Sequence, residues 1–68
     1  MRISARNILP GTITEIKLGA TTAHVKLDVG GAIVTASITN ESVAELALKI
    51  GDAVQAVIKS SDVMIAIP

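Results

Sequence analysis

Two neighbouring segments in the middle of the chain alternate apolar and polar residues with a period of two. The first segment is Thr22–Val29 and the second is Ala32–Thr39. This alternation is typical of strands that bury one face. Gly30 and Gly31 join the segments, and a two-glycine connection favours the tight turn of a β-hairpin. The faces predicted to be buried consist of Ala23, Val25, Leu27 and Val29 in the first strand and Val34, Ala36 and Ile38 in the second.

The rest of the chain adds further strands and one helix. The ten Ile, seven Val and six Thr residues make up about a third of the chain, which favours strands. The spacing of Val43, Leu46 and Ala47 predicts a helix of two or three turns within 40–48. Asn40 or Ser42 can cap its N-terminus. Further strands are predicted within Ile3–Leu18, at Ala53–Lys59 and at Val63–Ile67. A bend or bulge is predicted at Pro10-Gly11, inside the first of these segments.

This order of elements predicts an all-β fold, a five-stranded OB-like Greek-key barrel with one short helix between strands 3 and 4. Other small barrels share the same local signals. We expect one domain over residues 1–68, and a chain this short needs disulfides, metal or self-association for stability. Cysteine is absent and His24 is the only histidine, so self-association remains. The last predicted strand is apolar on both faces, which also indicates a partner subunit.

Composition argues against several functions. The six Lys and Arg balance six Asp and Glu, and there is no Phe, Tyr or Trp, so neither a basic surface nor a stacking platform indicates nucleic acid. Charged residues interrupt the chain too often for a membrane span. No targeting segment is visible at the start, so the cytoplasm is the expected location. A catalytic triad would depend on His24 alone, and we expect no enzyme activity.

Hydrogen-bond donors gather in three stretches at predicted strand ends. These stretches are Ser4-Ala5-Arg6-Asn7, Thr39-Asn40-Glu41-Ser42 and Lys59-Ser60-Ser61. Arg and Lys only donate, and hydroxyls can donate, so such groups suit a fully deprotonated tetrahedral dianion. The middle stretch also lies at a predicted helix N-terminus, whose free N–H groups favour anions. A plainer interpretation stays open, in which the hydroxyls cap a helix and form turns while the cations are solvated.

The same stretches carry a resemblance to a known family. Ser4-Ala5-Arg6-Asn7, followed by Leu9 and Gly11, resembles the opening motif of the molbindins, the small Mop-type molybdate-binding proteins. The similarity continues through Ser37-Ile38-Thr39 and into Val57-Ile58-Lys59-Ser60, and it extends over essentially the whole chain.

The resemblance implies a cytoplasmic protein with an OB-like fold that assembles as a hexamer, a trimer of dimers. It implies molybdate or tungstate bound at subunit interfaces, for storage or homeostasis, with no nucleic-acid or membrane partner. No organic cofactor is expected, since a pterin would find no aromatic ring. An interaction or assembly module without an oxyanion ligand is the alternative. The oxyanion-binding residues that the resemblance implies are Ser4, Ala5, Arg6, Thr39, Ser42, Lys59 and Ser60.

Overall fold

The computed structural model of the chain describes residues 2–68. Its elements in chain order are strands β1 (Asn7–Leu18), β2 (Thr22–Val29) and β3 (Ala32–Thr39), helix α1 (Asn40–Glu45), strand β4 (Ala53–Ile58) and a 3₁₀ turn at Ser60–Asp62. The four strands form one antiparallel sheet in the order β3-β2-β1-β4. The mostly β architecture and the helix after the third strand are as the sequence predicts.

The central hairpin is confirmed. β2 and β3 pair without interruption up to Val29 and Ala32. Gly30 and Gly31 both have positive φ, 64° and 94°, as the two central positions of a type I′ turn require. The Asp28 carboxylate accepts a hydrogen bond from the Gly31 N–H at 2.8 Å, which fixes the turn further.

The predicted buried faces are also confirmed, and they meet in a small aliphatic core. Ile13 from β1 lies at its centre with 1% exposure. Alternate residues of β2, β3 and β4 pack around Ile13, and the residues between them face outward. The buried apolar residues are Ile13, Ala23, Val25, Leu27 and Ala56.

β1 is a single strand of twelve residues that changes partner along its length. It pairs with β4 from Asn7 to Thr12 and with β2 from Thr12 onward. The predicted irregularity at Pro10-Gly11 is wrong, because pairing with β4 is regular there and the register shifts between Ile13 and Glu15 instead. Pro10 lies beyond the end of β2, where it has a strand on one side only, as proline requires.

Gly11 has a packing role in β1. A Cβ there would lie 2.8 Å from the Asp28 carbonyl oxygen and 3.2 Å from Val29 Cγ2. The first distance is shorter than real Cβ contacts and involves backbone that cannot move aside cheaply, and the second is tighter than most such contacts. β1 and β2 therefore cross closely at a position where the residue has no side chain.

α1 is shorter than predicted. It also begins earlier, at Asn40, which was itself one of the two predicted caps. Thr39, the last residue of β3, is the N-cap, and its hydroxyl accepts from the Ser42 N–H. At the other end, Leu48 N–H donates to Val43 C=O and Ala47 N–H donates to Ala44 C=O. This is the Schellman arrangement, which needs a left-handed residue at the position of Ala47. Ala47 has φ of 51° and ends the helix.

Replacing Ala47 with glycine is expected to stabilise the folded chain by about 1 kcal/mol, since an L-residue in this conformation carries roughly that penalty. Urea unfolding at fixed protein concentration measures the change. Ala44→Gly is the matched control in the helix interior and should destabilise by about 0.5–1 kcal/mol. Equal destabilisation by both substitutions would contradict the assignment of strain to Ala47.

The fifth predicted strand does not form within one chain. After the 3₁₀ turn Ser60–Asp62, residues 63–68 have no regular structure. Met64, Ile65 and Ile67 are about nine-tenths exposed, so the chain's own sheet does not cover them. An apolar sequence predicts that a segment is buried, but it does not predict which surface the segment packs against. With four strands, a single chain leaves β3 and β4 as open edges and completes no five-stranded Greek-key barrel.

Candidate functional site

The pairing of β1 with β4 brings two of the three donor stretches together. Asn7 lies opposite Ile58, and the Asn7 side-chain amide donates to the Ile58 carbonyl at 3.2 Å. Arg6 and Lys59 are the next residues outward on these two strands. Ser4 and Ala5 precede Arg6, and Ser60 follows Lys59. The start of β1 and the end of β4 therefore form one surface, which we call the cationic end.

The cationic end carries two cations, neither of which is in ion-pair contact with a carboxylate of residues 2–68. Arg6 and Lys59 are both exposed. Within residues 2–68, the one ion pair joins Lys26 Nζ to Glu15 Oε2 at 3.6 Å, on the outer face of the sheet. Two cations beside each other with no carboxylate in ion-pair contact create a positive potential that attracts anions.

The third stretch forms a linked hydroxyl pair at the start of α1. Thr39 Oγ1 accepts a hydrogen bond from the Ser42 backbone N–H at 3.0 Å. The Thr39 hydroxyl in turn donates to Ser42 Oγ at 2.9 Å. We call Thr39 and Ser42 the hydroxyl pair. Residues 39–42 include no Lys or Arg, and Glu41 adds a negative charge, so any cation for an anion bound here must come from elsewhere.

Asn40 fastens the hydroxyl pair to the turn between β1 and β2. Its backbone N–H donates to the Thr21 carbonyl and its side-chain amide donates to the Gly19 carbonyl, both at 2.9 Å. Its Oδ1 is buried and accepts no hydrogen bond from residues 2–68. No feature of the sequence pattern singled out Asn40 for this anchoring role, because its partners lie about twenty residues away.

The start of α1 has fewer free N–H groups than the sequence predicts. α1 has six residues, and two of its first three N–H groups already have partners. Asn40 N–H is bound by the Thr21 carbonyl, and Ser42 N–H is bound by the Thr39 hydroxyl. The donors that remain in this region are therefore the hydroxyls and at most one of these three N–H groups.

Within one chain, the hydroxyl pair and the cationic end are separated. Thr39 pairs with Thr22 at the start of β2, beside the Leu18 end of β1. The cationic end lies at Asn7, the opposite end of that strand. Of the predicted site residues, the fold thus brings Ser4, Ala5, Arg6, Lys59 and Ser60 to one end of the sheet and Thr39 and Ser42 to the other.

The remaining titratable residues form no obvious catalytic or metal centre. His24 is exposed in the middle of β2, where its cross-strand neighbours are Lys17 and Ser37 rather than a carboxylate. Residues 2–68 hold no cluster of three or more His, Cys, Asp or Glu side chains suited to a metal ion. In the same residues, no helix is long and apolar enough to cross a bilayer.

Comparison with known proteins decides the family. The TOBE domain model matches residues 3–65, and molybdenum-pterin-binding protein 1 of Clostridium pasteurianum is 50% identical over 66 residues. The chain belongs to the molbindin family of TOBE domains. The match to the Clostridium protein covers 96% of this TOBE domain and 97% of that protein, as the resemblance in sequence predicts.

Solved structures share the fold of this TOBE domain. A molybdate-binding protein from Sporomusa ovata superposes with a TM-score of 0.93 at 39% identity, over 97% of this chain and 98% of that chain. The cytoplasmic molybdate-binding protein ModG, in a form with molybdate bound, superposes with a TM-score of 0.94 at 49% identity. That match covers all of this TOBE domain and 49% of ModG. Both relatives are described as molybdate-binding.

Proposed function

We propose that this molbindin binds molybdate or tungstate at sites shared between subunits, for storage or homeostasis of the oxyanion in the cytoplasm. The observation that carries the proposal is the separation of its donors. One chain holds Arg6 and Lys59 at one end of the sheet and its hydroxyl pair at the other. If a second copy places its hydroxyl pair against the cationic end of the first, the two chains together complete a site that neither has alone. The molybdate-binding relatives support the choice of ligand.

The chemistry of the proposed site favours a dianion that carries no proton. Arg6 and Lys59 balance the two charges, and hydroxyl and N–H donors meet the oxygens. Each hydrogen bond to a charged group contributes about 1.5–3 kcal/mol, so several together can offset desolvation of the ion. Phosphate near neutral pH keeps protons, and a donor-only site leaves those protons without acceptors. The proposed ligands are Ser4, Ala5, Arg6, Lys59 and Ser60 of one subunit with Thr39 and Ser42 of its partner.

We propose the inorganic oxyanion itself as the ligand, although the Clostridium relative is named for a molybdenum-pterin. The 68 residues include no Phe, Tyr or Trp. A pterin ring would therefore have no aromatic side chain to stack on, and stacking contributes roughly 1–3 kcal/mol per ring in comparable sites. The proposal includes no catalytic activity and no nucleic-acid or membrane partner.

Self-association is supported by an apolar groove that a single chain leaves open. The groove lies between the edge strands β3 and β4 and encloses about 520 Å³. Val34 and Ile38 line one wall, Val54 and Ile58 line the other, and Ile13 lies at the bottom. Both walls are sheet edges, whose free backbone groups can pair with an added strand. The groove therefore suits an extended apolar segment.

The C-terminal residues 63–68 are such a segment, and we propose that each chain lends them to its partner. They contain no charged residue, and the side chains of Met64, Ile65 and Ile67 are nearly fully exposed. Reciprocal exchange between two chains gives an isologous dimer and supplies the strand that each barrel lacks. Three such dimers would give the hexamer that the family resemblance implies.

Native mass spectrometry with added molybdate, tungstate, sulfate or phosphate tests ligand and assembly together. We expect a hexamer that retains molybdate and tungstate. It should release phosphate, which keeps protons, and sulfate, whose shorter bonds make it too small for a site sized for molybdate. A monomer that takes up no molybdate would overturn both parts of the proposal.

A thermal melt separates oxyanion binding from the alternative of a bare assembly module. Ligand at 100 times its Kd stabilises the folded state by about 2.7 kcal/mol, so molybdate should raise the melting temperature. A hexamer whose melting temperature is the same with and without molybdate would favour assembly alone.

A further inference from the structure

The apolar groove ends directly beside the hydroxyl pair. Its β3 wall runs from Val34 to Ile38, and the next residue of β3 is Thr39. A second contact joins the groove to the same place, because Leu46 lines the groove and its backbone N–H donates to the Ser42 carbonyl at 3.0 Å. A segment that fills the groove therefore has one of its two ends at the hydroxyl pair.

The apolar residues 63–68, which we call the tail, begin directly after the cationic end. Only the short 3₁₀ turn lies between them. The Asp62 N–H donates to the Lys59 carbonyl at 2.9 Å, and the Val63 N–H donates to the Ser60 carbonyl at 3.3 Å. A 3₁₀ turn advances about 2 Å per residue, so the tail begins roughly 8 Å along the chain from Lys59. Wherever the tail starts, Lys59 and Ser60 are close to it.

The tail and the β3 wall of the groove have matching lengths. Residues 63–67 and residues 34–38 are five each, and five residues of strand span about 13 Å. In an extended tail, Val63, Ile65 and Ile67 share one face, which can point toward the bottom of the groove. β3 is an open edge of the sheet, so its free backbone groups can pair with the tail.

The direction of the tail decides where its cations go. If the tail runs antiparallel to β3, Val63 lies opposite Ile38, and the cationic end of its chain lies at the hydroxyl pair. If it runs parallel, Val63 lies opposite Val34, about 16 Å from Thr39, and the cationic end lies farther away still. Only the antiparallel direction joins the donors of the two chains.

We propose that the tail of one chain pairs antiparallel with β3 of its partner, and that the oxyanion bound where the two chains meet locks this exchange. The inference rests on the proposed function and gives its strand exchange a direction. Entry of the tail brings Lys59 and Ser60 to the partner's hydroxyl pair, and the oxyanion then bridges the two chains. By linkage, the oxyanion strengthens tail insertion by the same factor by which tail insertion strengthens oxyanion binding.

Engineered disulfides test the direction, because the chain has no cysteine of its own. Ile38→Cys combined with Val63→Cys places two thiols opposite each other in the antiparallel arrangement, where cross-strand Cα atoms are about 4.5–5.5 Å apart and a disulfide can form. Val34→Cys combined with Val63→Cys is the matched control for the parallel arrangement. In non-reducing gel electrophoresis, we expect a covalent dimer for the first variant only. Native mass spectrometry under reducing conditions verifies that both variants assemble.

Subunit exchange tests the lock. Unlabelled and ¹⁵N-labelled wild type are mixed, and native mass spectrometry follows the appearance of mixed oligomers with and without molybdate. Saturating molybdate should slow the exchange by about 10-fold or more, since a tail can leave only when charge-assisted hydrogen bonds to the oxyanion break. Two glycines inserted between Asp62 and Val63 lengthen the connection by up to about 7 Å. In that variant, molybdate should slow the exchange much less.

The outcomes separate this inference from the proposed function. A covalent dimer through positions 34 and 63, or a disulfide within one chain, overturns the antiparallel exchange. Exchange at the same rate with and without bound molybdate overturns the lock. Both results leave oxyanion binding in place. If calorimetry shows that the wild type binds no molybdate, the proposed function itself fails, and the lock fails with it.

Discussion

Introducing aspartate at Ile65 is expected to dissociate the assembly and to abolish tight molybdate binding with it. Ile65 is 89% exposed in the single chain, so the substitution costs little there. In the proposed exchange, the same side chain enters the apolar groove of a second copy. Burying an unpaired carboxylate costs several kcal/mol, and the cost occurs twice in a symmetric dimer. Native mass spectrometry and light scattering measure the subunit number, and calorimetry measures molybdate binding.

Two control variants define what the Ile65→Asp result means. Ala20→Asp adds the same charge to the exposed turn between β1 and β2 and should leave subunit number unchanged. Ile65→Val removes one methylene and should weaken association only slightly, by about 0.5–1.5 kcal/mol for each buried copy. An intact hexamer of the Ile65→Asp variant would show that residues 63–68 do not enter a partner's groove.

Replacing Arg6 with alanine is expected to reduce molybdate affinity by about 10- to 100-fold while leaving fold and subunit number intact. The guanidinium is exposed, and residues 2–68 offer it no ion-pair partner, so the chain loses no internal bond. The bound dianion loses at least one charge-assisted hydrogen bond, worth about 1.5–3 kcal/mol. Calorimetry measures the affinity, and native mass spectrometry verifies that the oligomer persists.

Lys26→Ala is the matched control for the Arg6 substitution. Lys26 is an exposed cation in the middle of β2, paired with Glu15 on the outer face of the sheet, and its removal changes net charge by the same amount. Affinity should change by less than about 2-fold, as expected for a screened surface charge. If Arg6→Ala separates the subunits in the absence of ligand, Arg6 is a structural contact between chains rather than a ligand.

The local elements followed closely from the sequence because neighbouring residues decide them. The alternation in β2 and β3, with glycines that tolerate positive φ between them, defined a hairpin whose two faces are as predicted. The position of the helix was also predictable. Its length was not, since the Schellman bonds place Ala47, where glycine is usual, in a left-handed conformation. The position of the bulge in β1 was not predicted either, because it depends on how β2 and β4 both pair with β1.

The donor stretches of the candidate site could be marked from the sequence, but their arrangement in space could not. Hydroxyls and cations at strand ends mark three stretches in the sequence, and the family resemblance implies an oxyanion for them. Only the pairing of β1 with β4 shows that Arg6 and Lys59 share one end of the sheet. The sequence also predicted the helix N–H groups as donors, whereas in the fold two of them are hydrogen-bonded to Thr39 and Thr21.

By itself, the sequence determined the strands, the helix, the buried faces and the donor chemistry, since these depend on local pattern and on which atoms each side chain carries. The tertiary structure decided which stretches meet. It places the cationic end and the hydroxyl pair at opposite ends of β1, and it leaves both an apolar tail and an apolar groove open. Two stretches come together only when residues far apart in the chain pair with each other. No local pattern encodes which distant strand edge a given strand will pair with. The hairpin that the alternating residues define is therefore complete in one chain, while the proposed barrel and the proposed site both call for a second chain.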